Sequence, residues 1–354
     1  METYIWKNLP KVYTFGSGPY GKLGHGNEDN IYFPKVIEIL KNVTSVSCGF
    51  AHTAVIVNEK LYTFGYGFYG QLGHGNKNKL FTPKVVESLK NVTSVSCGIK
   101  HTVVISNSKL YTFGDGSDGQ LGHGDIESVY IPEVIESFRD TNVTSVSCDF
   151  NHTAVIANGK LYTFGNADYG QLGHGNKYNL AIPKIVKNLK NVTSVSCGLY
   201  YTAVIANNKL YTFGNGINGQ LGHGNNSDIY VPEIIESFKN VTSVSCGARH
   251  TSVISNGKLY TFGEGNYGQL GHGDNNDVYV PKIIENLNNV TSVSCGSDHT
   301  AAISNGKLYT FGRGIYGQLG NHDNHDSDVP EIVEELNNVI SVSCGASYTA
   351  VIAS

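Results

Sequence analysis

Residues 60–75, which read Lys60-Leu-Tyr-Thr-Phe-Gly-Tyr-Gly-Phe-Tyr-Gly-Gln-Leu-Gly-His-Gly75, contain the pattern that decides the fold. Its core, Tyr-Thr-Phe-Gly, recurs along the 354-residue chain. The copies begin at Tyr13, Tyr62, Tyr111, Tyr162, Tyr211, Tyr260 and Tyr309, so they are 49 residues apart except for one interval of 51. A fixed period of this length indicates a repeat architecture.

Cysteine and proline keep the same period. The chain has 7 Cys, one in each repeat, and 42 Gly. The cysteines are Cys48, Cys97, Cys148, Cys197, Cys246, Cys295 and Cys344, and the repeat prolines are Pro34, Pro83, Pro132, Pro183, Pro232, Pro281 and Pro330. The longer interval reflects a two-residue insertion near Asp140-Thr141. The whole chain is therefore read as seven copies of one unit.

Each unit is predicted to form four short strands. Alternating β-branched and aromatic residues give a strand at residues 92–98, a second at 101–105 and a third at 60–65. Asn-Gly, as at Asn158-Gly159, suits the tight turn between the second and third strands. The fourth strand is expected to start at the repeat proline, as at 83–87, and to lie at a sheet edge. No segment predicts a helix.

Repeated four-stranded sheets predict an all-β, seven-bladed β-propeller with antiparallel blades. Small Ser, Cys and Gly residues in the first strand suit the crowded axis, and the Tyr and Phe of the third strand suit the wider gaps outside. The chain begins on a third strand at 11–16 and ends on a second strand at 349–353. The two ends are therefore expected to share one closing blade, which removes exposed edges.

The predicted domain is a single propeller over 1–354. The closing blade combines 11–40 with 340–354. The other blades are expected at 43–87, 92–138, 143–187, 192–236, 241–285 and 290–335.

The successive motifs Val-Ser-Cys-Gly-x-x-His-Thr, Lys-Leu-Tyr-Thr-Phe-Gly and Tyr-Gly-Gln-Leu-Gly-His-Gly resemble the regulator of chromosome condensation repeat. The resemblance covers about residues 11–353. It implies a seven-bladed propeller but no single activity, because members include the nuclear exchange factor for the small GTPase Ran, modules of ubiquitin ligases and signalling proteins, and protein inhibitors.

Two features that the resemblance associates with the exchange factor are missing from the sequence. The chain has no basic N-terminal tail, and its only length irregularity is too short for a β-wedge between strands. In the exchange factor an acidic residue precedes the histidine in the loop that faces the GTPase. Asp298-His299 matches that local pattern in one repeat.

Composition and motifs argue against several functional classes. The net charge is −4, with no basic cluster to follow phosphates, so no nucleic acid is expected as a direct partner. No apolar run is long enough to cross a membrane, and no export signal is recognisable, so a cytoplasmic or nuclear, non-secreted protein with reduced thiols is expected. No nucleophile, phosphate-binding or cofactor motif is present, so neither an enzyme nor a cofactor is predicted.

Two sets of repeated histidines are interpreted as structural rather than catalytic or metal-binding. Equivalent atoms on neighbouring blades lie too far apart to share a zinc ion. Those in Gly-His-Gly are expected to pack in loops between blades; they are His25, His74, His123, His174, His223 and His272. Those that begin the second strand are expected to bond a neighbouring loop, with tyrosine in two copies; they are His52, His101, His152, His250 and His299, with Tyr201 and Tyr348.

Variation between the copies concentrates in loops, most notably in the loop after Cys-Gly, which is expected to ring one mouth of the central channel. These positions mix apolar, aromatic and charged side chains, as binding surfaces do. The candidate partner-binding residues are Lys100, Asp149, Phe150, Asn151, Tyr200, Arg249, Asp298 and His299. Asp149 stands where the other copies have glycine.

The sequence thus predicts a non-catalytic protein–protein interaction scaffold, expected to be monomeric, with a protein partner. One alternative is a guanine-nucleotide exchange factor for a Ran-like small GTPase. Another is a structural or host-interaction protein of a large DNA virus, because Asn, Lys, Ile and Tyr are abundant and the repeats are nearly identical.

Overall fold

The computed structural model describes residues 9–354 and contains seven four-stranded antiparallel sheets arranged as the blades of a propeller. Strands are named a to d from the channel outward. The a strands are β3 Val43–Cys48, β7 Val92–Cys97, β11 Val143–Asp149, β15 Val192–Gly198, β19 Val241–Cys246, β23 Val290–Cys295 and β27 Val339–Cys344. The b strands are β4 His52–Val57, β8 His101–Ser106, β12 His152–Ala157, β16 Tyr201–Ala206, β20 His250–Ser255, β24 His299–Ser304 and β28 Tyr348–Ala353.

The outer two strands of each blade follow the same order. The c strands are β1 Lys11–Gly16, β5 Lys60–Gly65, β9 Lys109–Gly114, β13 Lys160–Gly165, β17 Lys209–Gly214, β21 Lys258–Gly263 and β25 Lys307–Gly312. The d strands are β2 Ile31–Lys41, β6 Leu80–Val85, β10 Val129–Val134, β14 Leu180–Ile185, β18 Ile229–Ile234, β22 Val278–Ile283 and β26 Ser327–Ile332. Blade 1 is β3–β6, and blades 2 to 6 follow in chain order.

The ring closes as the sequence predicts. The closing blade has the order β2-β1-β28-β27, so its outer strands come from the start of the chain and its inner strands from the end. The strand β1 pairs with β28 without interruption from Lys11 opposite Ala353 to Gly16 opposite Tyr348. The closing blade is therefore held by a continuous ladder of hydrogen bonds.

The hydrophobic cores lie between blades. The phenylalanine of each Tyr-Thr-Phe-Gly motif is fully buried, and every residue of each b strand is buried. One core joins Tyr201 and Leu210 of blade 4 to Val244 and Phe262 of blade 5. A b strand is consequently covered on both faces by its neighbours, which explains its continuous apolar sequence.

The fourth strand differs from the sequence prediction in one respect. In blade 1 the d strand begins at Leu80, so Pro83 is its fourth residue rather than its first. The proline lies next to a shift in the pairing register, between Thr63 and Gly65 of the neighbouring strand. Because d is the outer edge strand, the missing N–H of proline costs no ladder bond.

Alternation of strand direction sorts the connections onto two faces. The a–b and c–d loops form one face, called here the loop face, and the b–c turns and d–a connections form the other, called the turn face. The two-residue insertion lies on the turn face, where a 3₁₀ turn spans Glu136–Phe138 and Thr141 donates to the carbonyl of Phe138.

Candidate functional site

The central channel encloses about 370 Å³ and is lined by the Ser and Cys side chains of the a strands. All seven cysteines are free and buried. Burial raises the pKa of Cys48 to about 12 and that of Cys295 to about 11, so these thiols stay protonated. The walls of the channel therefore offer little nucleophilic or metal-binding character.

The mouth of the channel on the loop face is largely apolar. The first residue after each Cys-Gly lines it: Phe50, Ile99, Phe150, Leu199, Ala248, Ser297 and Ala346. Phe50 is 50% exposed, although it is a large apolar residue. The sequence expectation that this loop rings the mouth is confirmed for these seven residues.

Asp149 brings a carboxyl group into the channel, where the other blades have glycine. One oxygen, Oδ1, accepts the backbone N–H of Phe150 at 2.8 Å. Burial raises the pKa of Asp149 to about 7, since the low-polarity surroundings disfavour the charged form. This carboxyl group is the one acidic side chain among the residues that line the described channel.

The second residue of each loop turns away from the channel and forms an outer ring. In blades 1 to 6 its carbonyl accepts the N–H of the residue fifteen positions later, at the start of the c–d loop, as from Asp115 to Lys100 at 3.0 Å and from Glu264 to Arg249 at 2.9 Å. In the closing blade the Ser347 carbonyl accepts the N–H of Ser17 at 2.9 Å. Lys100, Asn151, Tyr200, Arg249 and Asp298 occupy this ring rather than the channel wall.

These backbone bonds bring charged side chains together in three blades. The Lys100 Nζ atom lies 3.9 Å from Asp115 Oδ2, and the Arg249 and Glu264 side chains approach to 3.4 Å. In blade 6 the two charges are exchanged: the acidic residue, Asp298, is in the a–b loop, and its Oδ2 lies 3.3 Å from the Arg313 Nη1 atom. The other four blades carry uncharged residues at both positions: Ala51 with Tyr66, Asn151 with Asn166, Tyr200 with Asn215, and Ser347 with Ser17. A charged residue at one position is thus always accompanied by a residue of opposite charge at the other.

An aromatic cluster spans blades 3 and 4 on this face. The ring centroid of Tyr200 lies 4.6 Å from that of Phe150 and 4.8 Å from that of Tyr169. Tyr200 has a φ of +65°, a conformation that is unfavourable for a bulky residue and often accompanies functional positions. Beside it, the Asn151 amide donates to Asp118 at 2.7 Å.

His299 does not reach the surface. It is fully buried, and its Nε2 lies 2.9 Å from Thr349 Oγ1 in the next blade. The same contact joins His52 to Thr102 and repeats at the other histidine positions of the b strands. The expectation that these histidines bond a neighbouring loop is therefore wrong: their partner is a threonine of the neighbouring b strand.

We call the contact between two neighbouring blades a seam. At two seams tyrosine replaces this histidine, and its hydroxyl bonds a backbone carbonyl of the next blade instead of a threonine. The Tyr201 hydroxyl donates to the carbonyl of His250 at 2.6 Å, and the Tyr348 hydroxyl donates to that of His52 at 2.7 Å. Both arrangements satisfy a polar atom in the interior, so this ring of residues holds the blades together.

The histidines of Gly-His-Gly also bond threonine, but within their own blade. His74 Nε2 lies 3.0 Å from Thr63 Oγ1, and the following Gly75 donates its N–H to Tyr130 of the next blade. The glycine φ is +75°, so the prediction of inter-blade packing with positive φ is confirmed. Over residues 9–354, no three His, Cys, Asp or Glu side chains are grouped so that they could hold a metal ion.

Sequence reasoning found the variable loops but missed how they pair. The signal was available, since Lys100 with Asp115, Arg249 with Glu264 and Asp298 with Arg313 keep one spacing and always oppose in charge. The stacking of Tyr200 on Tyr169 crosses a seam between blades, and no local pattern predicts it. No helix of the described residues is long and apolar enough to cross a membrane.

The family profile described as an RCC1-like domain matches residues 11–351. The chain belongs to the RCC1-like domain family. Its curated relatives include the Danio rerio serine/threonine-protein kinase Nek8 (43% identical over 51 residues), the Canis lupus familiaris X-linked retinitis pigmentosa GTPase regulator (50% over 48) and the Xenopus laevis protein RCC2 homolog (39% over 49). These matches cover 13–14% of this chain and 5–10% of the relatives, about one repeat of each.

Solved structures agree with this RCC1-like fold. Human WBSCR16 superposes with a TM-score of 0.87 at 23% identity, covering 97% of this chain and 100% of the other. Prp20p from Saccharomyces cerevisiae, whose structure was described with its binding properties to Gsp1p and histones, gives 0.87 at 21% identity, covering 99% and 94%. At these identities the likeness establishes the fold alone.

Proposed function

We propose that this RCC1-like propeller is a protein-binding scaffold whose partner docks on the loop face. The observation that carries the proposal is the distribution of differences between the seven copies. The seam residues and the core phenylalanines repeat almost unchanged, while the outer-ring residue differs in every blade and the channel-mouth residue varies among Phe, Ile, Leu, Ala and Ser. In interaction proteins, binding specificity commonly comes from variable surface loops that a constant, rigid framework positions.

The aromatic cluster of blades 3 and 4 provides the anchor. Phe150 and Tyr200 are half-buried and supported by Tyr169, so each ring presents apolar area at little cost in side-chain entropy. Arg249 is exposed over 51% of its side chain and is held in place by Glu264. Aromatic and arginine side chains of this kind dominate the binding energy at protein interfaces.

The remaining candidates have more peripheral roles. Lys100, Asn151 and Asp298 form a polar rim around the anchor, and Asp149 lies at the base of the channel mouth. His299 is fully buried, so we assign it to the seam and exclude it from contact with a partner. The proposed contact set is accordingly Phe150, Tyr200 and Arg249, with that polar rim.

Affinity capture tests this proposal. The native protein and the triple variant F150A/Y200A/R249A are immobilised side by side, with K60A/K160A/K209A as a matched control. The control removes exposed lysines from the starts of three c strands on the turn face. The proposal requires a protein that is retained by the native protein and the control but not by the loop-face variant.

Guanine-nucleotide exchange is the second candidate. It is supported by the likeness to Prp20p over nearly the whole chain and by the retinitis pigmentosa GTPase regulator among the relatives. Against it, residues 9–354 contain four strands in each blade and no additional hairpin that could act as a wedge. Release of labelled nucleotide from Ran-like GTPases tests it, and no acceleration at micromolar protein contradicts it.

The activity, the oligomeric state and the cellular location of the protein are also proposals. Because each matched relative aligns with the chain over about one repeat, none of the relatives' activities is assigned to this protein. We propose a monomer that acts in the cytoplasm or nucleus without its own covalent chemistry. No structural feature favours the alternative of a viral host-interaction protein.

A further inference from the structure

Asp149 changes the way in which neighbouring blades are joined at the mouth of the channel. In four blades the first residue of the a–b loop donates its N–H to a carbonyl of the next blade, as Phe50 does to Gly98 at 3.4 Å. In blade 3 the Phe150 N–H is directed instead to the Asp149 carboxylate, at 2.8 Å. The carboxylate thus takes over a donor that other blades use to bind their neighbours.

A side chain at this position does not fit the geometry of other blades. A Cβ atom placed on Gly98 would lie 2.7 Å from Cε1 of His101, and one placed on Gly49 would lie 2.8 Å from Cε1 of His52. Because these distances are shorter than a carbon–carbon contact allows, the backbone or the ring must move to admit a side chain. Asp149 therefore has a packing cost that the six glycines avoid.

The second carboxylate oxygen of Asp149, Oδ2, has no hydrogen-bond or ion-pair partner among residues 9–354. The residues that line the described channel include no Lys, Arg or His. A carboxylate in surroundings of low polarity is favourable only when an opposite charge or sufficient donors accompany it. Since the one charge that the described lining can carry is negative, the complementary group of a ligand is a cation.

The serines of the a strands give the channel a neutral polar wall. Every repeat cysteine donates its N–H to a serine Oγ of the preceding blade, as Cys97 does to Ser47 at 3.0 Å and Cys48 to Ser343 at 2.9 Å. A hydroxyl oxygen has two lone pairs, so each serine keeps one for another donor. The wall can therefore accept further N–H groups beside Asp149 and holds no charge that repels a cation.

The entrance to the channel suits a long apolar stem. Ile99, Phe150 and Leu199 line it in blades 2, 3 and 4. The channel encloses about 370 Å³, near the lower end of the range of roughly 300–1,000 Å³ for ligand pockets. Lysine and arginine combine an apolar stem with a charged end. A basic side chain thus matches both the apolar entrance and the carboxylate behind it.

Phe150 connects this opening to the proposed partner surface. Its side chain lines the channel, and its ring centroid lies 4.6 Å from that of Tyr200. Its N–H also holds Oδ1 of Asp149 in place. Because a protein segment that packs on Phe150 and Tyr200 lies directly beside the opening, the source of the basic group that fits best is the docked partner itself.

We propose that the channel mouth binds the ammonium or guanidinium group of a lysine or arginine side chain of the docked partner, with Asp149 as the counter-ion. Oδ2 of Asp149 accepts a hydrogen bond from the cation, and Ile99, Phe150 and Leu199 enclose the aliphatic stem. This contact rests on the proposed scaffold function and adds the chemistry by which the loop face recognises its partner.

The ionisation of Asp149 gives this contact a dependence on pH. Burial raises the pKa of Asp149 to about 7, and a bound cation favours the charged form. The titratable side chains on β11 and on the strands packed against it are Cys97, His101, Cys148, His152 and Cys197. Burial keeps the pKa of these thiols well above 9 and lowers that of both histidines to about 3. None of these five groups changes charge between pH 6 and 8.

Peptide selection tests the contact. A random twelve-residue library without histidine is selected on the native protein and counter-selected on the variant D149G. This variant carries the residue of the other six blades and is expected to fold. Enriched peptides should contain Arg or Lys beside apolar residues. A library with no such enrichment contradicts the proposal.

Fluorescence anisotropy of the enriched peptides separates charge from shape. Replacing the peptide's arginine by citrulline, or its lysine by norleucine, removes the charge at nearly constant length. Either this change or D149N should weaken binding about tenfold or more. Together they should weaken it little further, because both remove the same contact. Equal binding by D149N and the native protein, or losses that simply add, overturns the proposal.

The variant D125N is the matched control for the loss of one negative charge. It removes an exposed carboxylate from the c–d loop of blade 2, on the same face of the propeller. Because an exposed charge is screened by solvent, peptide affinity should stay within about twofold of the native value. A loss as large as that of D149N would assign the effect to net charge and contradict a specific contact in the channel.

The pH dependence of peptide binding provides a second readout. The affinity of the native protein should rise about tenfold from pH 6 to pH 8, as the Asp149 carboxyl loses its proton, while that of D149N should stay level. A level profile for the native protein contradicts the role of the carboxylate.

Competition with free n-butylguanidinium distinguishes a partner side chain from a small amine. The free cation lacks the contacts with Phe150 and Tyr200, so it should displace the peptide only at far higher concentration. Displacement at equal concentration would assign the channel to a small organic cation and contradict the partner side chain.

The capture experiment separates this contact from the scaffold function on which it rests. D149N is added beside F150A/Y200A/R249A. A partner that the triple variant loses and D149N retains at full affinity supports docking on the loop face and contradicts the channel contact. Peptide binding that depends on Asp149, without any protein captured by the loop face, supports the channel contact and contradicts the scaffold function as proposed.

Discussion

The Nε2 atom of His52 lies 2.8 Å from the Oγ1 atom of Thr102, across the seam between blades 1 and 2. The Thr102 hydroxyl donates its proton to the carbonyl of Gln71 at 2.8 Å, so it accepts from the imidazole. The imidazole therefore carries a proton on Nε2, and burial, which lowers its pKa to about 3, keeps it neutral. The other buried histidine seams repeat this chain of bonds, which links the strength of the ring to pH.

Acid should weaken the propeller before it affects most surface groups. Burial lowers the pKa of His52 and its equivalents from 6.5 to about 3, so below pH 6.5 the unfolded chain binds protons that the folded chain cannot. Stability is therefore complete above pH 6.5 and declines as the pH falls. We expect about 1 kcal/mol of unfolding free energy to be lost per buried histidine between pH 7 and 5.5, measured by urea unfolding.

The variant H101Y provides the control for this pH effect. Tyrosine occupies the same position in Tyr201 and Tyr348, where its hydroxyl reaches a backbone carbonyl of the next blade. It should fold and show a shallower fall in stability on acidification than the native protein. An unchanged slope would show that the buried histidines do not cause the pH dependence.

Ring closure should depend on Phe15. This side chain is fully buried in the closing blade, so F15A should cost about 3–5 kcal/mol of unfolding free energy through lost packing and a residual cavity. Phe33 lies in the same blade but is 45% exposed, and F33A should cost under about 1 kcal/mol. Similar losses from the two variants, measured by chemical denaturation, would argue against a packed closing blade.

The pair Asp298 and Arg313 should be exchangeable. The variant R313D brings two carboxylates together at this position. Their repulsion should lower the free energy of unfolding by about 1 kcal/mol at low salt. The double variant D298R/R313D adopts the polarity of Arg249 and Glu264 and should recover most of that loss. The double-mutant cycle, measured by thermal unfolding at two salt concentrations, would contradict the pairing if the two changes were simply additive.

The seven thiols should be inert in the folded protein. They are buried, and burial raises the pKa of Cys48 and Cys246 to about 12, so the reactive thiolate is scarce even at pH 8. We expect almost no reaction with a thiol-exchange reagent in native buffer and complete reaction of all seven in guanidinium. Fast labelling of one native cysteine would reveal an opening at that blade.

The sequence predicts the architecture well because the repeats determine it. The period of Tyr-Thr-Phe-Gly gives the number of blades, and the strands at Lys11 and Ala353 give the closing ladder. The d strand of blade 1 begins at Leu80 and not at Pro83 as the sequence predicts, because an edge strand accepts proline internally.

The sequence predicts only part of the candidate site. Variation among copies identifies the loop, but Phe150 lines the channel, Tyr200 lies outside it and His299 is buried in a seam. These residues stand close together in their repeats, so their separation depends on backbone direction at each position. Lys22 illustrates the converse, because its departure from the glutamine of the Gly-Gln-Leu-Gly motif is visible in the sequence, but its burial beside the Tyr348 ring is not.

The dissociation constant of a captured partner, measured by biolayer interferometry, tests the central claim most directly. The native protein, F150A/Y200A/R249A and the turn-face control K60A/K160A/K209A are compared under one buffer condition. Docking on the loop face predicts at least about a hundredfold weaker binding by the first variant and less than about a threefold change in the control. Equal affinity of the native protein and the loop-face variant, or a loss confined to the turn-face control, would contradict the claim.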